Sequence, residues 1–139
     1  MTATIYHNPR CSKSRNALTI LQAAGEAPDV VEYLKTGWTR DLLVSLFTEA
    51  GITARDALRK GETQAKELGL SAPDVTDDQI IEAMITHPVL VERPIVRTPK
   101  GVAVCRPMSN LLPLLAQPLS GPVTDAKGKV LVDDQGNAL

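Results

Sequence analysis

Apolar positions change period several times along this chain, and each change marks an element. Thr4-Ile5-Tyr6 is a short β-type run, so residues 3 to 6 read as a first strand. Ala17, Leu18, Ile20, Leu21 and Ala24 then recur at helical spacing, predicting a helix to about Ala24 with Ser12 or Ser14 as its cap. Gly25 stops that helix, and Pro28 prevents its continuation. Asp29-Val30-Val31-Glu32-Tyr33 is short and β-branched, a second strand. A helix joining two such strands makes a βαβ unit with parallel strands.

Thr36-Gly37-Trp38 interrupts the pattern. Thr39 then caps a helix whose apolar face is Leu42, Leu43, Leu46, Phe47 and Ala50, ending at Gly51. Short amphipathic pieces follow, one over Ala54 to Leu58 and one ending at Leu68-Gly69-Leu70. Thr76-Asp77-Asp78-Gln79 is a capping box for a helix burying Ile80, Ile81, Met84 and Ile85 and stopping before Pro88. Residues 39 to 87 therefore read as helices without a strand. Strand signals return at 93–97 and 101–106, joined by the turn Thr98-Pro99-Lys100-Gly101, which makes the pair antiparallel. A last helical pattern, Ser109 to Leu115, is weakened by Pro113. From Pro118 onward Gly, Pro, Asp and Lys predict an irregular tail, in which Val130-Leu131-Val132 is a segment able to dock.

The order β-α-β, helical block, β-β, α implies a single α/β domain. A mixed sheet flanked by helices would use residues 1–35 and 89–117, with a helical insertion over 36–88 and the tail at 118–139. The length of 139 residues suits one core. The net charge of −1 removes any bulk electrostatic case for nucleic acid or an anionic membrane. No run of 18 apolar residues and no secretory h-region is present, so a cytosolic protein is expected. Positive charge is local instead: Arg10, Lys13 and Arg15 precede the first acid, Glu26.

That charge surrounds Cys11, in the loop between the first strand and the first helix. A cysteine there meets unpaired backbone N–H groups and the positive end of the helix dipole. An ordinary cysteine is only about 3% thiolate at pH 7, and such surroundings lower its pKa to roughly 3.5–7.5. The competing reading of Cys11 is a small buried core residue. Cys105 lies 94 positions away, and alternation along its strand points it to the face opposite Arg106. It is therefore not an internal partner for whatever Arg106 touches. Spacings for a metal site are absent, and His7 and His87 form no ligand cluster. Arg59, Arg93 and Arg106 end or begin patterned segments; guanidinium groups converging on a thiolate would bind a tetrahedral oxyanion. Taken singly, each is a surface charge or an ion-pair partner. Arg93 precedes Pro94, a candidate cis bond.

Five stretches stand out: the run from Ile5 through His7-Asn8-Pro9-Arg10-Cys11-Ser12-Lys13-Ser14-Arg15 to Asn16; Leu58-Arg59-Lys60; Lys66-Glu67-Leu68-Gly69-Leu70; His87-Pro88 to Arg93-Pro94-Ile95-Val96; and Cys105-Arg106-Pro107. Together they resemble the glutaredoxin-dependent arsenate reductase family. They fall in order and span about residues 3 to 107. The resemblance implies a thioredoxin/glutaredoxin-like mixed sheet with a helical insertion. It implies Cys11 as the nucleophile toward arsenate, and Arg59, Arg93 and Arg106 as the residues holding the oxyanion and the thiol–arsenate adduct. Pro94 would be the cis-proline of the fold. His7 matches a position near the cysteine and reads equally as a satisfied loop histidine. Ser14 is placed to hydrogen-bond the thiolate or to act only as a helix cap. Glutathione would be the co-substrate and glutaredoxin the partner that takes over the mixed disulfide, with no bound cofactor or metal.

The chemistry of a single-cysteine loop agrees. Arsenate needs two electrons, and one thiol supplies half a disulfide. A CxxC redox loop would need cysteine at 14, where Ser14 stands, and a Cys-x5-Arg phosphatase loop would need arginine at 17, where Ala17 stands. Departures from the family are the extra cations Arg10 and Lys13 and a weakly matching tail. The rival readings are a related thiol oxidoreductase with another substrate and a redox-responsive member of the superfamily.

Overall fold

Helix α1 (Ser12–Ala23) buries Ala17, Ile20 and Leu21, a stripe at i, i+3 and i+4 that meets the sheet. The computed structural model describes residues 3–119 and 121–139. Its residues form two compact units. One joins the chain up to Glu32 with Arg93 onward, and the other is Tyr33–Glu92.

The first unit is built on four strands: β1 (Thr4–His7), β2 (Asp29–Glu32), β3 (Ile95–Thr98) and β4 (Gly101–Val104). Their order is β2-β1-β3-β4. Strand β1 runs parallel to β2, with Ile5 beside Val30, and antiparallel to β3, with Ile5 opposite Val96. Strands β3 and β4 form the expected antiparallel hairpin, Ile95 facing Val104. The sheet is thus mixed. The C-terminal end of β1, the N-terminal end of β3 and the C-terminal end of β4 lie along one edge of it. Ile5, Val96 and Cys105 share one buried face with α1 and with Leu111, Leu114 and Leu115 of the 3-10 segment Met108–Leu114. Pro113 lies inside that segment and helps explain why it tightens instead of forming the expected α-helix. Tyr6, Ile95 and Val102 point to the opposite face and are buried too.

The tail differs from the irregular segment expected. Strands β5 (Val123–Thr124) and β6 (Val130–Val132) form an antiparallel hairpin, and Val123, Leu131 and Val132 belong to the core that α1 lines. Ser120 lies outside the described residues. Two aspartates set the turns. Asp125 Oδ1 accepts the N–H groups of Lys127 and Lys129, and Asp133 Oδ1 those of Gln135 and Asn137, each at 2.8–2.9 Å.

In the second unit, α2 (Tyr33–Thr36) takes Tyr33 out of the predicted strand, and its ring stacks on Trp38 with centroids 4.9 Å apart. Helix α3 (Arg40–Ala50) starts at Thr39, whose side chain accepts the Leu42 N–H, and stops at Gly51, whose φ of 69° suits glycine. After α4 (Thr63–Glu67), helix α5 (Asp77–Thr86) begins with the predicted capping box at Thr76 and Gln79. It packs on α3, and Arg40 pairs with Asp78 at 3.1 Å and with Glu82. The piece over Ala54 to Leu58 is a series of turns, not a helix. Leu58 also makes an isolated antiparallel bridge with Val91, flanked by Arg59 N–H to Leu90 C=O at 2.8 Å and Glu92 N–H to Ala57 C=O at 2.7 Å. Strand-like pairing therefore reaches a stretch expected to hold none.

Leu131 is only 4% exposed. Leu131→Ala should lower unfolding free energy by about 2–4 kcal/mol, the cost of a core leucine deletion. Urea denaturation would read this; a loss under about 0.5 kcal/mol, the surface range, would mean that the tail is not docked.

Candidate active site

The loop between β1 and α1 is closed by a β-turn. The Asn8 carbonyl accepts the Cys11 N–H at 3.0 Å, placing Asn8 and Pro9 at the first two turn positions, where asparagine and proline are favoured. Asn8 Oδ1 accepts the Arg10 N–H at 3.0 Å, and Arg15 Nη1 donates to the Pro9 carbonyl at 2.9 Å. The turn delivers Cys11, in extended conformation, to the N-cap of α1.

Neither serine caps the helix. Ser12 is exposed, and Ser14 is fully buried beneath the loop. Ser14 Oγ accepts the Asn8 N–H at 3.0 Å and lies 2.7 Å from His7 Nδ1. With the imidazole protonated on Nε2, the hydroxyl donates to Nδ1 and its hydrogen bonds close on the loop. Burial holds the His7 pKa below the usual histidine value against the opposing pull of Glu32, and Arg15 adds to the lowering. His7 is therefore a neutral strut of the loop near pH 7.

Cys11 is 8% exposed. Burial alone would raise its pKa, yet the net displacement is downward. The Ser14 N–H, the charge and hydrogen bond of the Arg93 guanidinium, and the Lys13 N–H together outweigh the loss of solvent. Although Cys11 makes no side-chain cap hydrogen bond of ordinary geometry, its sulfur still sits in the field of these two N–H groups. After the Ser14 N–H, the cation that lowers this pKa is Arg93, eighty-two positions along the chain, and not Arg10 or Arg15, which are prominent in sequence.

The sheet explains how Arg93 arrives. The Arg93–Pro94 bond is cis, as is Arg106–Pro107. The Cys105 N–H donates to the Pro94 carbonyl at 2.8 Å, extending the β3–β4 pairing one step beyond the strands. Arg93 and Arg106 lie one residue beyond that bond in each strand's extension, toward the sheet edge where β1 ends. Arg106 is exposed there, and Asn110 Nδ2 donates to its carbonyl at 3.5 Å. Arg59 belongs to the second unit. Its Nη1 pairs with Glu62 Oε1 at 2.7 Å, and its Nε lies 3.8 Å from Glu92 Oε1. Its place in the apolar pattern and the family resemblance drew attention to Arg59; its two carboxylate partners became visible only in the fold.

Cys105 is fully buried in the α1-facing core, as strand alternation requires, and burial pushes its thiol up to about 12. Both cysteines are free. Among the described residues no group of three or more His, Cys, Asp or Glu side chains is placed to hold a metal ion, and no helix is long and apolar enough to cross a membrane. Asn8 was missed by the sequence reading, although an Asn-Pro step in the loop before Cys11 is itself a turn signal.

A four-stranded mixed sheet with a lone cysteine at the end of the first βα loop and a cis-proline at the adjoining strand end defines a thioredoxin-like protein. The profile of the ArsC family matches residues 6–113. The chain belongs to that family. It is 50% identical over 135 residues to the arsenate reductase ArsI2 of Synechocystis sp., covering 97% of this chain and 96% of the relative. It is 43% identical over 136 residues to the arsenate reductase of Escherichia coli K12, covering 98% and 96% respectively. The solved arsenate reductase from Vibrio cholerae matches with a TM-score of 0.79 at 40% identity, over 83% of this chain and 98% of that one.

The two thiols should separate cleanly in reactivity. Iodoacetamide should modify the native protein once, at Cys11, with a pH midpoint below that of an ordinary thiol. Because the lowered pKa keeps the thiolate populated at lower pH, Arg93→Ala should move the midpoint upward. Labelling of Cys105 in the native state, or an unmoved midpoint in the variant, would contradict this geometry.

Proposed function

We propose that this protein is an arsenate reductase in which the Cys11 thiolate is the nucleophile. The observation that carries the reading is the placement of Cys11 at the α1 N-cap, where the Arg93 guanidinium and the helix N–H groups hold its pKa down. Near-full-length similarity to chains named arsenate reductase supports it.

In the proposed reaction the sulfur attacks arsenic, an As–O bond breaks, and the departing oxygen leaves as water after taking up protons. Arg93 and Arg106 neutralise charge on the remaining oxygens, since forked guanidinium donors match a tetrahedral oxyanion. The same role is proposed for Arg59 on the family pattern alone. His7 and Ser14 keep the loop in shape, and Pro94 sets the strand end from which Arg93 projects.

The adduct still holds As(V). Glutathione then attacks the Cys11 sulfur: an S–S bond forms, the S–As bond breaks, and its electron pair goes to arsenic, releasing As(III) as arsenite. Two thiols thus supply two electrons and end as a mixed disulfide. Cys105, buried and protonated, is not a resolving partner, so an external thiol is needed. Glutaredoxin would reduce the Cys11–glutathione disulfide and return the thiolate.

The test is arsenate-dependent NADPH oxidation coupled through glutathione reductase and glutaredoxin. Cys11→Ser should abolish it. Arg106→Ala should lower kcat/KM roughly 10- to 100-fold, the equivalent of one charge-assisted hydrogen bond of about 1.5–3 kcal/mol. Arsenite production by the Cys11→Ser protein, or unchanged kinetics in the arginine variant, would remove these residues from the reaction. Failure of the wild-type protein to turn over arsenate would favour a thiol oxidoreductase with a different substrate.

A further inference from the structure

Beside the nucleophile's loop, the exposed side of α1 borders a cleft of about 330 Å³. Its walls include Lys13, Arg15 and Asn16 on the helix and Lys127 and Lys129 on the turn between β5 and β6. All four cations are exposed. The one acid in the walls, Asp125, is engaged by the turn: its Oδ1 accepts the backbone N–H groups of Lys127 and Lys129 at 2.8 and 2.9 Å. The lysines are thereby held by their backbones, leaving both ammonium groups outside that network. A cleft with four cations and one committed carboxylate favours an anion.

The cleft starts at the residue that follows Cys11 in the chain. Ser12 lines it, and so does Lys13, whose N–H is among the donors that lower the Cys11 pKa. From there it extends to Thr19, about 10 Å along the helix at 1.5 Å per residue. An extended tripeptide spans roughly the same length, at about 3.3–3.6 Å per residue. The volume also lies in the range of small-molecule sites, about 300–1,000 Å³. The tail, expected from sequence to be irregular, thus supplies half of a basic cleft at the active-site loop.

We propose that this cleft binds the carboxylates of the external thiol, a small anionic thiol peptide such as glutathione, and presents its sulfur to the Cys11 adduct. The assignment rests on the reading of Cys11 as a single-thiol nucleophile. Two carboxylates on such a peptide match cations on both walls, while a neutral thiol gains nothing from them. The same field makes the interaction salt-sensitive, because exposed charges are screened within about 10 Å at 0.1 M ionic strength.

The probe is S-methylglutathione, titrated into the wild-type protein and followed through amide NMR signals. Resonances of Lys13, Lys127 and Lys129 should shift together. In Lys127→Glu/Lys129→Glu the affinity should fall about 10-fold, equal to about 1.4 kcal/mol. No shift at these residues in the wild-type protein, or equal affinity in the variant, overturns the assignment. This readout needs no arsenate turnover, so an inactive wild-type enzyme would sink the proposed reaction without touching the binding result. In turnover, the ratio of KM for glutathione to KM for dithiothreitol should rise about 10-fold in the variant. An unchanged ratio overturns the proposal. A rise confined to the KM for glutaredoxin would give the cleft to a protein partner and overturn it equally.

Discussion

The structure turns on a contest at one sulfur. Burial of Cys11 opposes its ionisation, and the Ser14 and Lys13 N–H groups with the Arg93 guanidinium reverse the outcome. Each contribution depends on a different level of organisation. The N–H groups are aimed by the start of α1, where the first turn of any helix leaves its donors unpaired. The guanidinium comes from the segment leading into β3, a strand whose start lies at the site because the sheet places it antiparallel to β1. Ser14, which carries no charge, holds the loop in position through its bonds to His7 and Asn8.

The same arrangement divides labour between the two cysteines. One step of strand alternation separates Cys105 from Arg106. It sends the thiol into the core beside Leu111 and leaves the guanidinium at the edge. Burial without a cation or helix terminus raises the Cys105 pKa, whereas nearby donors outweigh burial at Cys11. Two residues of one type thus acquire opposite chemistry from their surroundings. The protein is left with one thiol whose ionisation is favoured and one whose ionisation is suppressed.

Much of this was readable from residues because the signals are local. Thr39 and Gly51 bound α3, the Thr76–Gln79 box opens α5, and the β3–β4 turn is carried by four consecutive residues. The unpaired donors next to Cys11 follow from a strand–loop–helix pattern alone. What escaped was non-local or ambiguous. The Leu58–Val91 bridge joins residues 33 positions apart, beyond any periodicity. Ser14 has a capping residue's chemistry, but its bonding partners lie behind it in β1 and the loop. In the tail, Asp-Ala-Lys-Gly and Asp-Asp-Gln-Gly read as irregular, although aspartate and glycine at such spacing also build tight hairpin turns. The short apolar runs between them were the evidence for strands, and their burial decides the matter. The ion pairs of Arg59 with Glu62 and Glu92 likewise required the fold.

In the proposed reaction Cys11 bonds directly to arsenic. Arsenic K-edge absorption spectroscopy on the protein incubated with arsenate, without any added thiol, reads this bond. One sulfur beside the oxygens in the arsenic coordination shell, lost in Cys11→Ser, is the expected result. A shell of oxygens alone in the wild-type protein, under saturating arsenate, would contradict it.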